Sequence, residues 1–367
     1  MINRTMWTAS RFLGAALVTM AVAFACSDTE QIAADSDRSV ADTNDTPGAA
    51  APDLLPITLN AGNRSLTKLP LVIAWDQGLF EKHGLDMNLL IPGPDFDGGR
   101  EIPPKAGMEE AEPEAWFRGG TPMLLGAARA PGEPHLIDIG STDCAVRANI
   151  IGRMGIETEV ASLEDLRGKR IGVSSMTNTL GFQARLLAQR MGWDYQTDIT
   201  LVDVENDGLE ELADGSVDVI LVNEIAYSTA KSAGYPVLFD TGDWNEDIGG
   251  NSVAVDPVWL QDPINREKAR RLMMVIAEAI SIFHRQPDLT WRVLREWNGV
   301  QDDTLARDII ARGAWLPRKP YACVAGLRKT IELFPELGTE RFTAEDFYDN
   351  SIMEEIDASG FLDDLYL

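Results

Sequence analysis

Residues 57–91 read ITLNAGNRSLTKLPLVIAWDQGLFEKHGLDMNLLI. Ile57 to Asn60 is a short β-prone run. From Leu69 to Lys82, apolar residues at 69, 72, 73, 79 and 80 make a helical stripe with Gly78 near its middle. His83-Gly84 closes that helix, with glycine as the C-cap. Leu85 to Ile91 is strand-like again. The segment therefore predicts β-α-β, and a helical crossover between neighbouring strands implies that they pair in parallel.

The same alternation returns further along. Ser162 to Leu166 is a short helix with Ser162 as N-cap and Asp165 three residues on, close to a capping box. A strand at Lys169–Ser174, a polar turn at 175–179 and a helix from Leu180 to Met191 follow. Thr200–Val204 is a strand, Leu209–Ala213 a helix, Val217–Val222 a strand, then a helix to about Ala233 and a strand at Val237–Phe239. Short loops between strands and helices in this order predict an α/β fold with mostly parallel sheets and flanking helices. Residues 92–135 are rich in Pro, Gly, Glu and Ala and are expected to be irregular, carrying one helix. His135 to Ile139 reads as a strand, and so does Ser252 to Val255. Leu272, Ile276, Ala279 and Phe283 line one face of a long helix from about Asn265 to His284. The remainder to Leu367 reads as helical.

The chain has 367 residues, 45% hydrophobic and 25% charged, enough for two domains or one large one. Lys and Arg total 32 against 58 Asp and Glu, a net charge of −26. Such a surface repels phosphate backbones and excludes a nucleic-acid binder. Residues 1–26 read as a secretory signal: Arg4 and Arg11 form the positive end, and Phe12 to Ala25 is uncharged. That stretch is shorter than the roughly 20 residues of a membrane span. It ends Ala23-Phe24-Ala25-Cys26, so Cys26 is a candidate lipidation site at the start of the mature chain. Removing Arg4 and Arg11 would take the net charge from −26 to −28. Residues 27–53 have almost no large apolar side chain and are expected to form a disordered acidic tether. The expected location is periplasmic or cell-surface.

Three stretches together resemble solute-binding proteins of ABC importers, the group that handles sulfonates, taurine, nitrate, aromatic acids and pyrimidine precursors. "LPLVIAWDQGLFEKHGLDMNLL" (69–90) is similar to the group's opening, through Pro70, Ala74, Gly78, Phe80, Gly84 and Leu85. "SLEDLRGKRIGVSS" (162–175) resembles the entry to the second lobe, and "ELADGSVDVILVNE" (211–224) a later element of it. "EPHLIDIGSTD" (133–143) departs from the group's usual pattern. The resemblance implies a type II periplasmic binding protein fold, with lobe 1 at 54–142 plus 247–367, lobe 2 at 143–246 and a ligand cleft between them. It further implies a monomer that works with a membrane permease and an ATPase. No cofactor or metal is expected.

Loops at the carboxyl ends of parallel strands face such a cleft. The candidate ligand residues are therefore Asn63, Arg64 and Ser65 after the first strand, Ser141 and Thr142 after another, and Ser175, Thr177, Asn178 and Thr179 before a helix. Asn223 and Glu224 end an apolar strand, and Trp244 and Asn251 lie near the return to lobe 1. Arg64 could pair bidentately with a carboxylate or sulfonate. The competing readings are a solvated loop charge for Arg64, helix capping for Ser175 to Thr179, and interface packing for Trp244. Cys144 and Cys323 could pair in an oxidising compartment. The favoured solute is an organic anion or a flat nitrogen heterocycle. The rival functions are an enzyme related to pyrimidine-precursor synthases and a sensor domain. The sequence has no G-x-S-x-G, H-E-x-x-H or P-loop, and its three histidines, His83, His135 and His284, are scattered.

Overall fold

The computed structural model describes residues 54–367, apart from residues 95, 133, 134, 146 and 206 and the side chain of Glu224. The leader, the tether and Cys26 lie outside the described residues.

Ten strands form two five-stranded sheets. The first holds β1 (Leu55–Asn60), β2 (Leu85–Leu90), β3 (Ala115–Phe117), β4 (Ile137–Ser141) and β10 (Ser252–Val255), in the order β2-β1-β3-β10-β4. The second holds β5 (Asn149–Gly152), β6 (Arg170–Val173), β7 (Thr200–Asp203), β8 (Val219–Val222) and β9 (Val237–Asp240), in the order β7-β6-β8-β5-β9. Helices α1 (Leu69–Asp76), α2 (Leu79–Lys82) and α3 (Thr121–Arg129) belong to the first half of the chain. Helices α4 (Thr179–Met191), α5 (Leu209–Asp214) and α6 (Glu224–Ser232) flank the second sheet. Then come α7 (Pro263–Arg285), α8 (Pro287–Trp297), α9 (Asp303–Arg312), α10 (Val324–Leu333), α11 (Ser351–Ala358) and α12 (Phe361–Asp364).

The opening β-α-β is present, with β1 and β2 parallel from Leu55↔Leu85 to Asn60↔Leu90. Its helix is two helices. Gly78 takes φ +63, a left-handed conformation that suits glycine and interrupts the α-helical run. The sheets are mixed where mostly parallel ones were expected. In each sheet two pairings are parallel and two antiparallel. The reason is that β5 and β10 are each the first strand after a crossing between sheets, and each enters its new sheet reversed. Two strands were not anticipated. β3 lies inside the Pro- and Gly-rich region and is only three residues long. β5 is short and fully buried, so it lacks the alternation that marks a half-exposed strand.

The stripe on α7 is buried as its spacing predicts: Leu272, Ile276, Ala279 and Phe283 all sit in the first sheet's core. The irregular stretch after β2 is held down by a buried amide. Asn88 donates to the Met108 carbonyl (3.1 Å) and accepts from the Lys105 N–H (2.9 Å). Two chain crossings join the sheets, and they touch at the bridge Ala145↔Asp247. Cys144, on the first crossing, forms a disulfide with Cys323, just before α10 (Cα–Cα 5.3 Å). That separation lies within disulfide reach, which the sequence alone could not establish.

Candidate functional site

Three strand ends meet across the two sheets: Asn63 and Ser65 after β1, Asp207 after β7, and Asn223 at the start of α6 after β8. They enclose a cavity of about 420 Å³ lined by Asn63, Ser65, Phe96, Asp207, Asn223, Ile225, Ala226 and Thr229. Among the described residues the lining is one carboxylate, two amides, two hydroxyls, one phenyl ring and aliphatic carbon, and no Lys or Arg side chain belongs to it. Asp207 accepts the Leu209 N–H at 3.2 Å through one carboxylate oxygen. Asn223 is the N-cap residue of α6, but its side chain makes no capping bond. It is therefore available to the cavity.

Behind Ser65 runs a hydrogen-bonded chain that fixes the first-lobe wall. Ser65 Oγ and Thr67 Oγ1 lie 2.9 Å apart, and Asn251 Nδ2 donates to Thr67 Oγ1 at 2.7 Å. Thr142 Oγ1 donates to the Thr67 carbonyl at 2.6 Å, and Ser141 Oγ donates to the Asn251 carbonyl at 2.9 Å. Ser141 and Thr142 are buried. They tie the β1 loop to both crossings, and they do not line the cavity.

Arg64 is placed otherwise than expected. It is 2% exposed, and its Nη1 donates to the carbonyls of Arg100 (3.0 Å) and Trp297 (2.8 Å). A guanidinium offers a rigid fork of donors, so it suits clamping a loop carbonyl to the end of α8 as well as holding a ligand. Lys68 is also withdrawn: it is buried, and its amine donates to the Ala61 carbonyl. Burial, then the charge of Arg118, lowers its pKa to about 8.

The loop before α4 does local work. Asn178 Oδ1 accepts the N–H groups of Leu180 (2.9 Å) and Gly181 (3.0 Å), and its Nδ2 donates to Ser174 Oγ (2.9 Å). Ser175 Oγ accepts the Thr177 N–H at 3.2 Å, and Thr177 Oγ1 accepts from Arg129 at 3.2 Å. Thr179 is simply the first residue of α4. None of the four lines the cavity, so capping accounts for Asn178 and turn formation for Ser175. Trp244 packs against two apolar clusters with the Arg190 guanidinium 5.4 Å from its ring, an interface tryptophan. Glu224 begins α6.

Phe96, Asp207 and Thr229 are cavity residues that sequence reasoning missed. Asp207 had a signal: it follows β7 as Asn223 follows β8, so the strand-end rule covers both. Phe96 had none, because its loop reaches the cavity through contacts with α8. The Phe96 N–H donates to the Asn298 carbonyl at 3.3 Å. The histidines bond elsewhere: His83 to Glu278 (2.7 Å), His135 to the Asp346 carbonyl (2.9 Å) and His284 to the Leu316 carbonyl (2.9 Å). Among the described residues no group of three His, Cys, Asp or Glu side chains could hold a metal. Among the same residues no helix is long and apolar enough to cross a membrane.

Two mixed sheets joined by two crossings, with a cavity at the strand ends between them, make the periplasmic binding protein fold. The chain is similar in structure to the periplasmic aliphatic sulphonate binding protein SsuA from Escherichia coli. They share 18% identity and a TM-score of 0.57, covering 82% of this chain and 92% of that one. The periplasmic nitrate-binding protein NrtA from Synechocystis PCC 6803 matches at 13% identity and TM-score 0.61, covering 86% and 92%. The desulfurization enzyme DSZB matches at 14% identity and TM-score 0.55, covering 83% and 99%. At these identities the likeness is one of fold. In sequence, residues 154–290 match the family model described as NMT1/THI5 like. No curated protein matches the chain in sequence.

Proposed function

We propose that this chain is the extracytoplasmic solute-binding subunit of an ABC importer. It captures a small solute in the cavity between the lobes and hands it to a membrane permease driven by an ATPase. It acts as a monomer, tethered through 27–53 to a lipid on Cys26. The observation that carries the reading is the cavity of about 420 Å³, built from strand-end loops of both sheets. A ligand that touches both walls favours the state in which the walls are close.

Of the two solute classes considered, the lining supports the flat nitrogen heterocycle over the organic anion. Asp207 can accept a ring N–H or amino group, Asn63 and Asn223 can complete an edge of donors and acceptors, and Phe96 offers a face for stacking. The α6 N-terminus contributes about half a positive charge, less than the full negative charge of Asp207. Arg64 and Lys68, the cations nearest in sequence to the β1 wall, are engaged by backbone carbonyls.

A thermal-shift series tests this, using 2-aminopyrimidine, cytosine and benzamidine against benzenesulfonate, benzoate and nitrate. A ligand at 100 times its Kd stabilises by about 2.7 kcal/mol. Shifts with the nitrogen compounds, lost in Asp207→Asn and Phe96→Ala, are expected. Shifts with the anions alone would return the solute class to sulfonate- or nitrate-like. The likeness to a desulfurization enzyme favours one second reading, catalysis in the same cavity. Mass spectrometry of the recovered ligand separates the two, since a binding protein returns it unchanged.

A further inference from the structure

Helix α10 occupies an unusual place. It belongs to the C-terminal part of the chain, yet it touches both crossings and both lobes. Its N-cap residue, Cys323, is disulfide-bonded to Cys144 on the first crossing. One turn on, Gly326 lies against the second crossing: a Cβ there would sit 1.9 Å from the Ile248 carbonyl carbon and 2.2 Å from the Gly249 nitrogen. No side chain larger than hydrogen allows that approach. Thr330 Oγ1 then meets Thr121 Oγ1 of α3 at 2.7 Å. Leu327 and Phe334 are fully buried with Leu124 and Leu125 of α3 and with Phe182 and Leu186 of α4, the latter helix belonging to the second lobe. Arg185 of α4 seals the far end. Its guanidinium lies 4.1 Å from the ring centroids of both Tyr195 and Phe334, and it pairs with Glu336.

The opposite flank, where α6 meets α9, is held differently. Ser228 Oγ donates to Asp308 Oδ2 at 2.6 Å, and Lys231 Nζ lies 3.6 Å from Asp308 Oδ1. Arg312 donates to Asn149 Oδ1 at 2.8 Å and stacks 3.4 Å above the Tyr227 ring. Apart from half-buried Ile225 and the Tyr227 ring under Arg312, these contacts are polar, and water can replace the hydrogen bonds and the ion pair. Water cannot replace the apolar contacts around α10, because separating them exposes buried hydrocarbon.

We propose that α10 is a disulfide-stapled wedge that holds the α3–α4 flank of the cleft shut. The lobes then open on one side only, at the α6–α9 flank, where Asp308 is the latch. The inference goes beyond the solute-binding reading and does not depend on the solute. It concerns how the two lobes of this fold move.

The test uses nitroxide labels on ketone-bearing residues, which leave the native disulfide untouched. One pair replaces exposed Arg190 and Arg328, across the α4–α10 flank; the other replaces exposed Ala233 and Arg307, across the α6–α9 flank. Double electron–electron resonance on the folded full chain should give a narrow distance for the first pair and a broader one for the second. Asp308→Ala should lengthen the second distance and leave the first unchanged. Gly326→Ala adds a methyl that helices favour but that collides with the crossing, so it should broaden the first distance. Cys144→Ser with Cys323→Ser should do the same. Equal lengthening of both distances in Asp308→Ala, or no change in either, would overturn the proposal. A native-like narrow first distance in Gly326→Ala would overturn it too.

Discussion

Breaking the Cys144–Cys323 bridge should cost this domain a large share of its stability. The bond joins residues 179 apart in sequence, so the closed loop contains the whole second sheet. In the chain-entropy treatment, closing a loop of that length removes about 17.5 cal/mol/K from the unfolded ensemble, about 5 kcal/mol at 25 °C. Unfolding entropy near 60 °C is about 2.1 cal/mol/K per residue, or roughly 0.65 kcal/mol/K for the described domain. The expected loss is therefore about 8 °C in Tm for Cys144→Ser with Cys323→Ser. Calorimetry of that variant, beside the wild type with and without a dithiol reductant, measures it. The reduced wild type should match the variant, because both lose the same constraint. A fall below about 2 °C in both would refute the reasoning. It would mean that the unbridged unfolded chain stays compact enough to leave the bridge little to restrict.

Four further outcomes follow from the same contacts. Arg64→Met strips the Arg100 and Trp297 carbonyls of a buried donor and should lower stability by about 3 kcal/mol in denaturant titrations without any solute present; a ligand-only residue would leave the empty protein unchanged. Phe182→Ala, fully buried between the lobes, should cost about 3–5 kcal/mol by the same titration. Asp138 is fully buried, and burial pushes its pKa from 3.8 up to about 8 against the lowering effects of Ser252 and the Gly120 N–H. Between those pH values the folded chain holds a proton that the unfolded chain has released, so stability falls as pH rises from 4 to 8, and Asp138→Asn should flatten that fall. Asp207→Asn should leave Tm of the empty protein within about 2 °C, since an amide oxygen can accept the Leu209 N–H as the carboxylate does, while abolishing the shift produced by 2-aminopyrimidine.

Much of the architecture was legible because its causes are local. The α7 stripe needs only a spacing of three and four, and it is buried where that spacing puts it. The Ser162–Asp165 box needs only its own four residues. β3 escaped notice because its three residues lie inside a Pro- and Gly-rich stretch, and β5 because it stands outside the regular strand–helix alternation, directly after a crossing. The site was harder. Asn63, Ser65 and Asn223 reach one cavity, and Ser141, Thr142 and Asn251 stand one bond behind it. Asn178 was as polar and as well placed along the chain, yet its amide is consumed by the first turn of α4.

What the sequence by itself determined is the succession of strands and helices from β1 to α7, apart from β3 and β5, and their likeness to a two-lobed binding fold. Hydrophobic period, caps and glycine breaks act within a few residues of where they stand. What only the tertiary structure decided is where the polar groups point and how the lobes are joined. Arg64 turns to carbonyls 36 and 233 residues away, Cys144 finds Cys323 at a separation of 179, and Asp207 faces Asn63 across two sheets. A buried polar group must be satisfied by whatever the fold brings near it, and that neighbour is set by packing at long range rather than by spacing along the chain.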